Sequence, residues 1–395
     1  MRHYYLTRSG RLSRQDNTLL FEPVAQEDEE PSPLPPSQPD DDEAATATIA
    51  EDFNDLTGNF GASASDFGTL ATPPLSLILP PSSLDEPPVL VRERRVIPVA
   101  DVDAFWVFRE ADLNARVLNF LAQNKIPVHF FNYYGYYSGT FYPREYLQAG
   151  YVLLRQVRHY SNKRLRLALA REFIDAGLHN ILRNLRYYET RGTDLQAQTA
   201  IVQAERLRLP QVKNIGELMS CEGRARAAYY QGFSPILRGT VEFTKRVRRP
   251  PDNMVNALIS FTNGLVYAAT LSQIYRSQLD PTISFLHEPG YRRFSLALDL
   301  AEVFKPVLAD RLLFKMLNTK QLNERDFAQD LNCCYLKPAG RKTVLQAWEA
   351  RLQTTIEHRR LKRKVSYQRL LRLECYKLVK HLLNDEPYTG FKAWW

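Results

Sequence analysis

Two acids three residues apart, Asp299 and Glu302, close the stretch His287 to Pro306, which reads HEPGYRRFSLALDLAEVFKP. After Pro289-Gly290 no helix breaker appears until Pro306, so the spacing predicts a helix with both carboxylates on one face, about 5 Å apart along its axis. Leu296, Leu298, Leu300, Val303 and Phe304 surround them. A carboxylate on so apolar a helix is costly without a counter-charge, and a cation is the natural one; the alternative is that both acids face solvent. Glu222 is a third candidate, because Leu218, Glu222, Ala225 and Tyr229 fall at helical spacing and put the acid on the apolar face. It needs either an arginine or a metal there, and Arg224 and Arg226 make an ion pair an equal alternative. Among the seven histidines, His287 stands out because the Glu288-Pro289-Gly290 turn sets it just ahead of the acid-bearing helix. Oxygen ligands with one imidazole suit Mg²⁺ or Mn²⁺, Mn²⁺ tolerating the imidazole better, whereas zinc more often recruits cysteines or several histidines. Such an ion could polarise a phosphodiester and lower the pKa of an attacking hydroxyl. Cations for a phosphate substrate lie close in sequence: Lys245, Arg246, Arg248 and Arg249 before Pro250-Pro251, Arg292 and Arg293 ahead of Asp299, and Lys305. Each pair also reads as a solvated face.

The elements that must position these residues follow from composition and period. At 395 residues and 44% hydrophobic, the chain can bury about two domains. Residues 23–90 hold fourteen Asp or Glu, no Lys or Arg, and twelve of the 24 prolines. Removing those fourteen charges from the net +8 leaves +22 on the remainder, which points to a polyanionic partner. The acidic segment cannot bury enough apolar surface to offset chain entropy and is expected to be disordered. Four cysteines, two of them adjacent, give no disulfide framework and no CxxC pair, which fits a reducing compartment. With no signal-like apolar core at the N-terminus and no run of about 18 apolar residues, a soluble cytoplasmic protein without membrane contact is expected.

Strands are expected at Tyr4–Leu6 and Thr18–Phe21, forming a hairpin, then at Arg94–Val99 and Ala104–Phe108, followed by a short helix within 112–123. Residues 126–142, IPVHFFNYYGYYSGTFY, carry eight aromatics. Such a stretch can stack on nucleic-acid bases, but it also fits a strand packed into a sheet core or a subunit interface. From Pro143 the period is helical, with segments at 144–188, 215–231, 253–278, 294–318, 341–360 and 366–383. His358 to Lys380 adds nine Lys or Arg, which suit contacts to a DNA backbone or a surface helix equally. The expected architecture is α+β: a small β-rich domain (1–22 and 91–142) interrupted by the acidic insert (23–90), a larger all-α domain (143–385) and a C-terminal tail (386–395).

Asp112-Leu113-Asn114, FFNYYGYYSGTFYPRE, CEGRAR, RRPPDNMVNALISFTN and the His287–Pro306 stretch, in this order, resemble the CRISPR-associated endonuclease/integrase of spacer acquisition, over residues 1–22 and 91–385. The resemblance implies an N-terminal β-sandwich, a helical catalytic domain, a homodimer contacting through the aromatic strand-rich region, and a small CRISPR adaptation partner protein bridging such dimers. It puts the metal ligands on Glu222, His287 and Glu302. Many members carry aspartate at the last position, and Glu302 follows the branch with glutamate. Asp299 matches a further acid that positions the ligands or binds a second ion. Arg248, Arg249, Arg292, Arg293 and Lys305 become candidates for DNA phosphates. The implied reaction joins the 3′ hydroxyl of a captured DNA fragment to the end of a CRISPR repeat by transesterification. A catalytically silent DNA-binding scaffold and a branched-DNA repair nuclease are the competing readings. The acidic insert departs from the family pattern.

Overall fold

The computed structural model describes residues 2–24, 89–91, 93–238, 241, 243–248, 250–290, 294–330 and 333–394. Most of the acidic insert, together with Arg249, Arg292 and Arg293, lies outside the described residues.

The N-terminal part holds two sheets. β1 (Arg2–Leu6) pairs in parallel with β4 (Val89–Val91) and β6 (Val102–Val107), β6 with β8 (Val128–Phe131), and β8 antiparallel with β9 (Tyr137–Phe141). The second sheet orders β5 (Arg95–Pro98), β3 (Thr18–Pro23), β2 (Gly10–Gln15) and β7 (Ala111–Leu113). The N-terminal hairpin is therefore β2–β3, whereas the sequence paired Tyr4–Leu6 with Thr18–Phe21; β1 lies in the other sheet, where His3 to Leu6 are all buried. Every residue of β6 is buried, and alternate side chains enter different cores. Phe105 and Val107 join Tyr4, Leu6, Leu12, Leu19, Phe21 and Ile97 between the sheets, beside α1 (Ala115–Gln123). Ala104 and Trp106 join the large core of the helical part.

The helical part begins with α2 (Gly150–Ser161) and α3 (Lys163–Glu189), which the sequence pattern ran together. Asn162 separates them by accepting from the Arg164 and Leu165 N–H groups as the α3 cap. α4 (Gln196–Arg208), α5 (Ile215–Gln231) and the short α6 (Phe233–Ile236) follow, then α7 (Met254–Tyr275). Among the described residues, α7 alone is long and apolar enough to cross a membrane, but 78% of its apolar window is buried inside the protein, as in a core helix. α8 (Ser295–Lys305) continues through a π-turn at Pro306–Asp310 into α9 (Arg311–Asn318). Proline removes one helical N–H and frees carbonyls at this junction. Asn180 and Asn184 of α3 donate to the Val303 and Pro306 carbonyls there, at 2.9 and 2.8 Å.

The C-terminal region is mostly helical, not all-α. β10 (Phe327–Asp330) pairs with β11 (Cys333–Leu336), and β12 (Thr355–His358) with β13 (Arg363–Ser366), between α10 (Pro338–Gln353) and α11 (Tyr367–Leu382). The second hairpin replaces the helix expected through Arg360. Thr355, Ile356, Val365 and Ser366 pair across it, a pattern that basic residues at the turn hid from a helical count.

Candidate active site

The site forms where α5 and α8 meet over α3. Gly177 of α3 faces the backbone of Glu302: a Cβ there would stand 3.2 Å from the Glu302 carbonyl oxygen. Glycine thus sets how closely the acid-bearing helix seats.

Asp299 is fully buried and does not face solvent. Its Oδ2 accepts from the Phe285 and Leu286 N–H groups at 2.6 and 2.9 Å, and its Oδ1 from the His287 N–H at 3.0 Å. Oδ1 also accepts from His287 Nδ1 at 2.8 Å. One carboxylate therefore caps a turn of loop and fixes the imbedded imidazole with its proton on Nδ1. The loop is tied from the other side as well, by Arg166 donating to the Phe285 carbonyl at 2.9 Å and Ser284 Oγ to the His287 carbonyl at 2.6 Å. Among the described residues, His287 Nε2 has no hydrogen-bond partner. Burial works against the charged imidazole, but Asp299 and Glu302 outweigh it and raise the His287 pKa above its ordinary value.

Glu222 and Glu302 meet on one cation. Arg226, one turn beyond Glu222 on α5, donates from Nε to Glu222 and from Nη2 to Glu302. Lys305 reaches the other Glu302 oxygen at 2.5 Å. Burial disfavours the Glu302 carboxylate, yet Arg226, Lys305 and His287 together hold its pKa down to about 2. The ion pair that competed with a metal in the sequence is present, then, but with Arg226. Arg224 turns away to Glu205, at 2.7 and 2.8 Å. Among the described residues no three His, Cys, Asp or Glu side chains converge as a ready metal-ligand set, because the guanidinium stands between the two glutamates. The donor chemistry nevertheless fits a hard or borderline divalent ion: two carboxylates already drawn to one positive centre, and an imidazole whose tautomer is set with one nitrogen free.

Of the proposed phosphate contacts, Arg248 is exposed, while Lys305 is mostly buried and engaged with Glu302. Sequence reasoning missed Asp310, at the end of the π-turn. Burial pushes its carboxyl up to about 6, against the pull of nearby Arg226. Its signal was helical spacing, eight residues beyond Glu302, obscured by Pro306.

Residues 89–350 match the family described as CRISPR associated protein Cas1. This chain belongs to the Cas1 family. The CRISPR-associated endonuclease Cas1 of Fusobacterium nucleatum is 48% identical over 303 residues, covering 77% of this chain and 90% of its own. A second protein of that name, from Moorella thermoacetica, is 49% identical over 306 residues, covering 78% and 93%. A Cas1 protein from Thermotoga maritima has a similar structure, with a TM-score of 0.73 at 33% identity over 99% of this chain and 100% of that one. A casposase bound to integration product shares the Cas1 fold at 18% identity, with a TM-score of 0.74 over 99% of this chain and 93% of its own.

Proposed function

We propose that the protein is a metal-dependent DNA endonuclease and integrase of CRISPR adaptation. It joins the 3′ hydroxyls of captured DNA fragments to the ends of a CRISPR repeat. The observation that carries this reading is the gathering of Glu222 and Glu302 onto Arg226 beside a histidine oriented by Asp299. Glu222, Glu302 and His287 Nε2 would hold one Mg²⁺ or Mn²⁺. When bound, such an ion polarises a phosphodiester and acidifies an attacking hydroxyl.

The protein's own groups do the rest. Asp299 holds the His287 ring and tautomer through four accepted hydrogen bonds. Arg226 keeps the two glutamates from repelling each other, and once released its guanidinium can meet a phosphate oxygen. Against burial, Arg226 and then Lys305 keep Glu302 ionised. In the exchange, a fragment 3′ oxygen bonds to phosphorus as the bond to the repeat-strand 3′ oxygen breaks. The attacking hydroxyl loses its proton and the departing 3′ oxygen gains one, so the number of phosphodiesters is unchanged and no nucleotide is hydrolysed. The same displacement with water is endonuclease cleavage.

Support for the wider reading comes from relatives named CRISPR-associated endonucleases and from the casposase, whose structure holds an integration product. A Cas6-RT-Cas1–Cas2 complex shares the fold at 16% identity, with a TM-score of 0.72 over 99% of this chain and 36% of that one. Its pairing with Cas2 supports the reading that this chain works with a small adaptation partner; a homodimer, with the two N-terminal sheets as a sandwich, is proposed with it. Arg248, and in the undescribed segments Arg249, Arg292 and Arg293, are the proposed phosphate contacts. The purified protein with its partner should join labelled fragments to repeat DNA with Mn²⁺. His287→Ala should lower the rate by on the order of a thousandfold while leaving DNA binding intact. Equal rates would exclude this reading.

A further inference from the structure

Asp310 ends the π-turn that follows α8 and is only 5% exposed. An i→i+5 turn is wider than an α-helical one, so it rotates Asp310 back toward the face that carries Lys305, one such turn earlier. There the acid meets α5. Arg226 and Tyr229 lie three residues apart on one face of that helix, and both act on the Asp310 carboxyl, Arg226 through its charge and Tyr229 through its hydroxyl. The tyrosine is held in place for this. Asn184 of α3 donates to the Tyr229 hydroxyl oxygen at 2.9 Å and to the Pro306 carbonyl at 2.8 Å, and its own Oδ1 accepts from Arg311 Nε at 2.7 Å. With the amide fixed by these contacts, the Tyr229 proton is left for Asp310.

Yet Asp310 has no ion pair among the described residues, although two cations are close. Arg226 is committed to Glu222 and Glu302, and Lys305 to Glu302 at 2.5 Å. Burial favours the neutral form of Asp310, and of the groups that oppose burial Arg226 pulls hardest, ahead of the Tyr229 hydroxyl and Lys305. A buried acid beside a cation that points elsewhere is costly as it stands. It gains a use once a divalent ion takes Glu222 and Glu302. Arg226, mostly buried, then loses both of its anions, and a buried guanidinium without an anion costs several kcal/mol, roughly, which would count against the ion. Asp310 is a third acid within its electrostatic reach, on the far side of Arg226 from Glu222 along α5.

We propose that Asp310 is the receiving carboxylate for Arg226: when Glu222 and Glu302 take up the divalent ion, the guanidinium swings to Asp310 and stays beside the site as a fixed cation. This rests on the metal reading above and adds the positioning residue that lets the ion in. Glu222, Asp299, Glu302 and Asp310 then face Arg226, Lys305 and a doubly charged ion, and with a neutral imidazole the charges cancel. A guanidinium has more N–H donors than one carboxylate takes, so an edge remains for a phosphate oxygen. Titration calorimetry with Mn²⁺ on the full-length parent, Asp310→Asn, Arg226→Gln and the double variant tests the proposal. Asp310→Asn should weaken Mn²⁺ binding about tenfold more in the parent than in the Arg226→Gln background, because only the parent has a guanidinium to rehouse. Losses that are equal in the two backgrounds, or absent from both, would overturn it. A Mn²⁺-bound crystal of the parent reads the same claim without a variant: an Arg226 nitrogen should stand within about 4 Å of an Asp310 oxygen. Arg226 turned to another partner there, or manganese on Asp310 itself, would overturn it too. If the parent binds Mn²⁺ and the cycle shows no coupling, the role of Asp310 fails and the metal reading stands. If the parent binds no Mn²⁺, both fail.

Discussion

His3 and His287 are each held by buried carboxylates, but the chain uses them differently. His3 on β1 is enclosed on both ring nitrogens, Nδ1 meeting Glu349 at 3.1 Å and Nε2 meeting Asp103 at 3.3 Å. Tyr5 donates to Glu349 at 2.6 Å, and Arg276 and Gln368 hold Asp103 at 2.9 and 3.0 Å. Two cations balance two anions there, and the network ties the N-terminal strands to α10 and α11. Around His287 one nitrogen is committed and the other is not. Asp299, Glu222 and Glu302 there face Arg226 and Lys305, so with a neutral imidazole the cluster carries one negative charge in excess. A network closed on both ring nitrogens is structural, whereas the open one, which holds a surplus negative charge only when its imidazole is neutral as a metal ligand must be, fits the proposed divalent ion.

Cutting the support of the open histidine should have the largest effect after loss of a ligand. Asp299→Asn cannot accept from every loop N–H and from Nδ1 alike. Joining activity should fall 10- to 100-fold, with Mn²⁺ affinity falling in parallel by titration calorimetry. Unchanged affinity would show that Asp299 supports only the loop.

In the closed network the effect should appear in stability and depend on pH. Burial opposes the charged form of His3, but Glu349 and Asp103 outweigh it and raise its pKa from 6.5 to about 9. Since the folded-state value is the higher one, the stabilisation is complete below pH 6.5 and is lost as pH rises through about 9. It amounts to roughly 3 kcal/mol. Thermal melts of the parent protein should therefore lose stability across that window, and those of His3→Gln should lose much less. Parallel curves would remove the distinction between the two clusters.

Arg226→Gln should give the smallest effect. It leaves Glu222 and Glu302 facing each other without their shared cation, which should lower Tm by a few degrees in chelator and enlarge the rise on adding Mn²⁺. A Tm independent of Mn²⁺ in both proteins would count against a divalent ion at this site.

Much of this was legible in the sequence, for definable reasons. α5 runs over Ile215–Gln231 as its periodicity predicts, and α1 (Ala115–Gln123) falls within the short helix expected at 112–123. The one-turn spacing of Asp299 and Glu302 held, but a shared helix face did not give them a shared task. Asp299 turns to the 285–287 loop and Glu302 to Arg226, a division that depends on tertiary contacts. The bridging role of Arg226 was half visible as an i, i+4 pair with Glu222; its second partner is 76 residues away in the chain. The β10–β11 and β12–β13 hairpins escaped notice because four-residue strands leave too short a pattern to outweigh their helical neighbours.

A crystal structure at saturating Mn²⁺, with anomalous scattering recorded for manganese, tests the central claim most directly. The account predicts one peak within coordination distance of Glu222, Glu302 and His287 Nε2, with Arg226 displaced and the His287–Asp299 contact kept. Arg226 still bridging both glutamates, with no manganese between them, would contradict it.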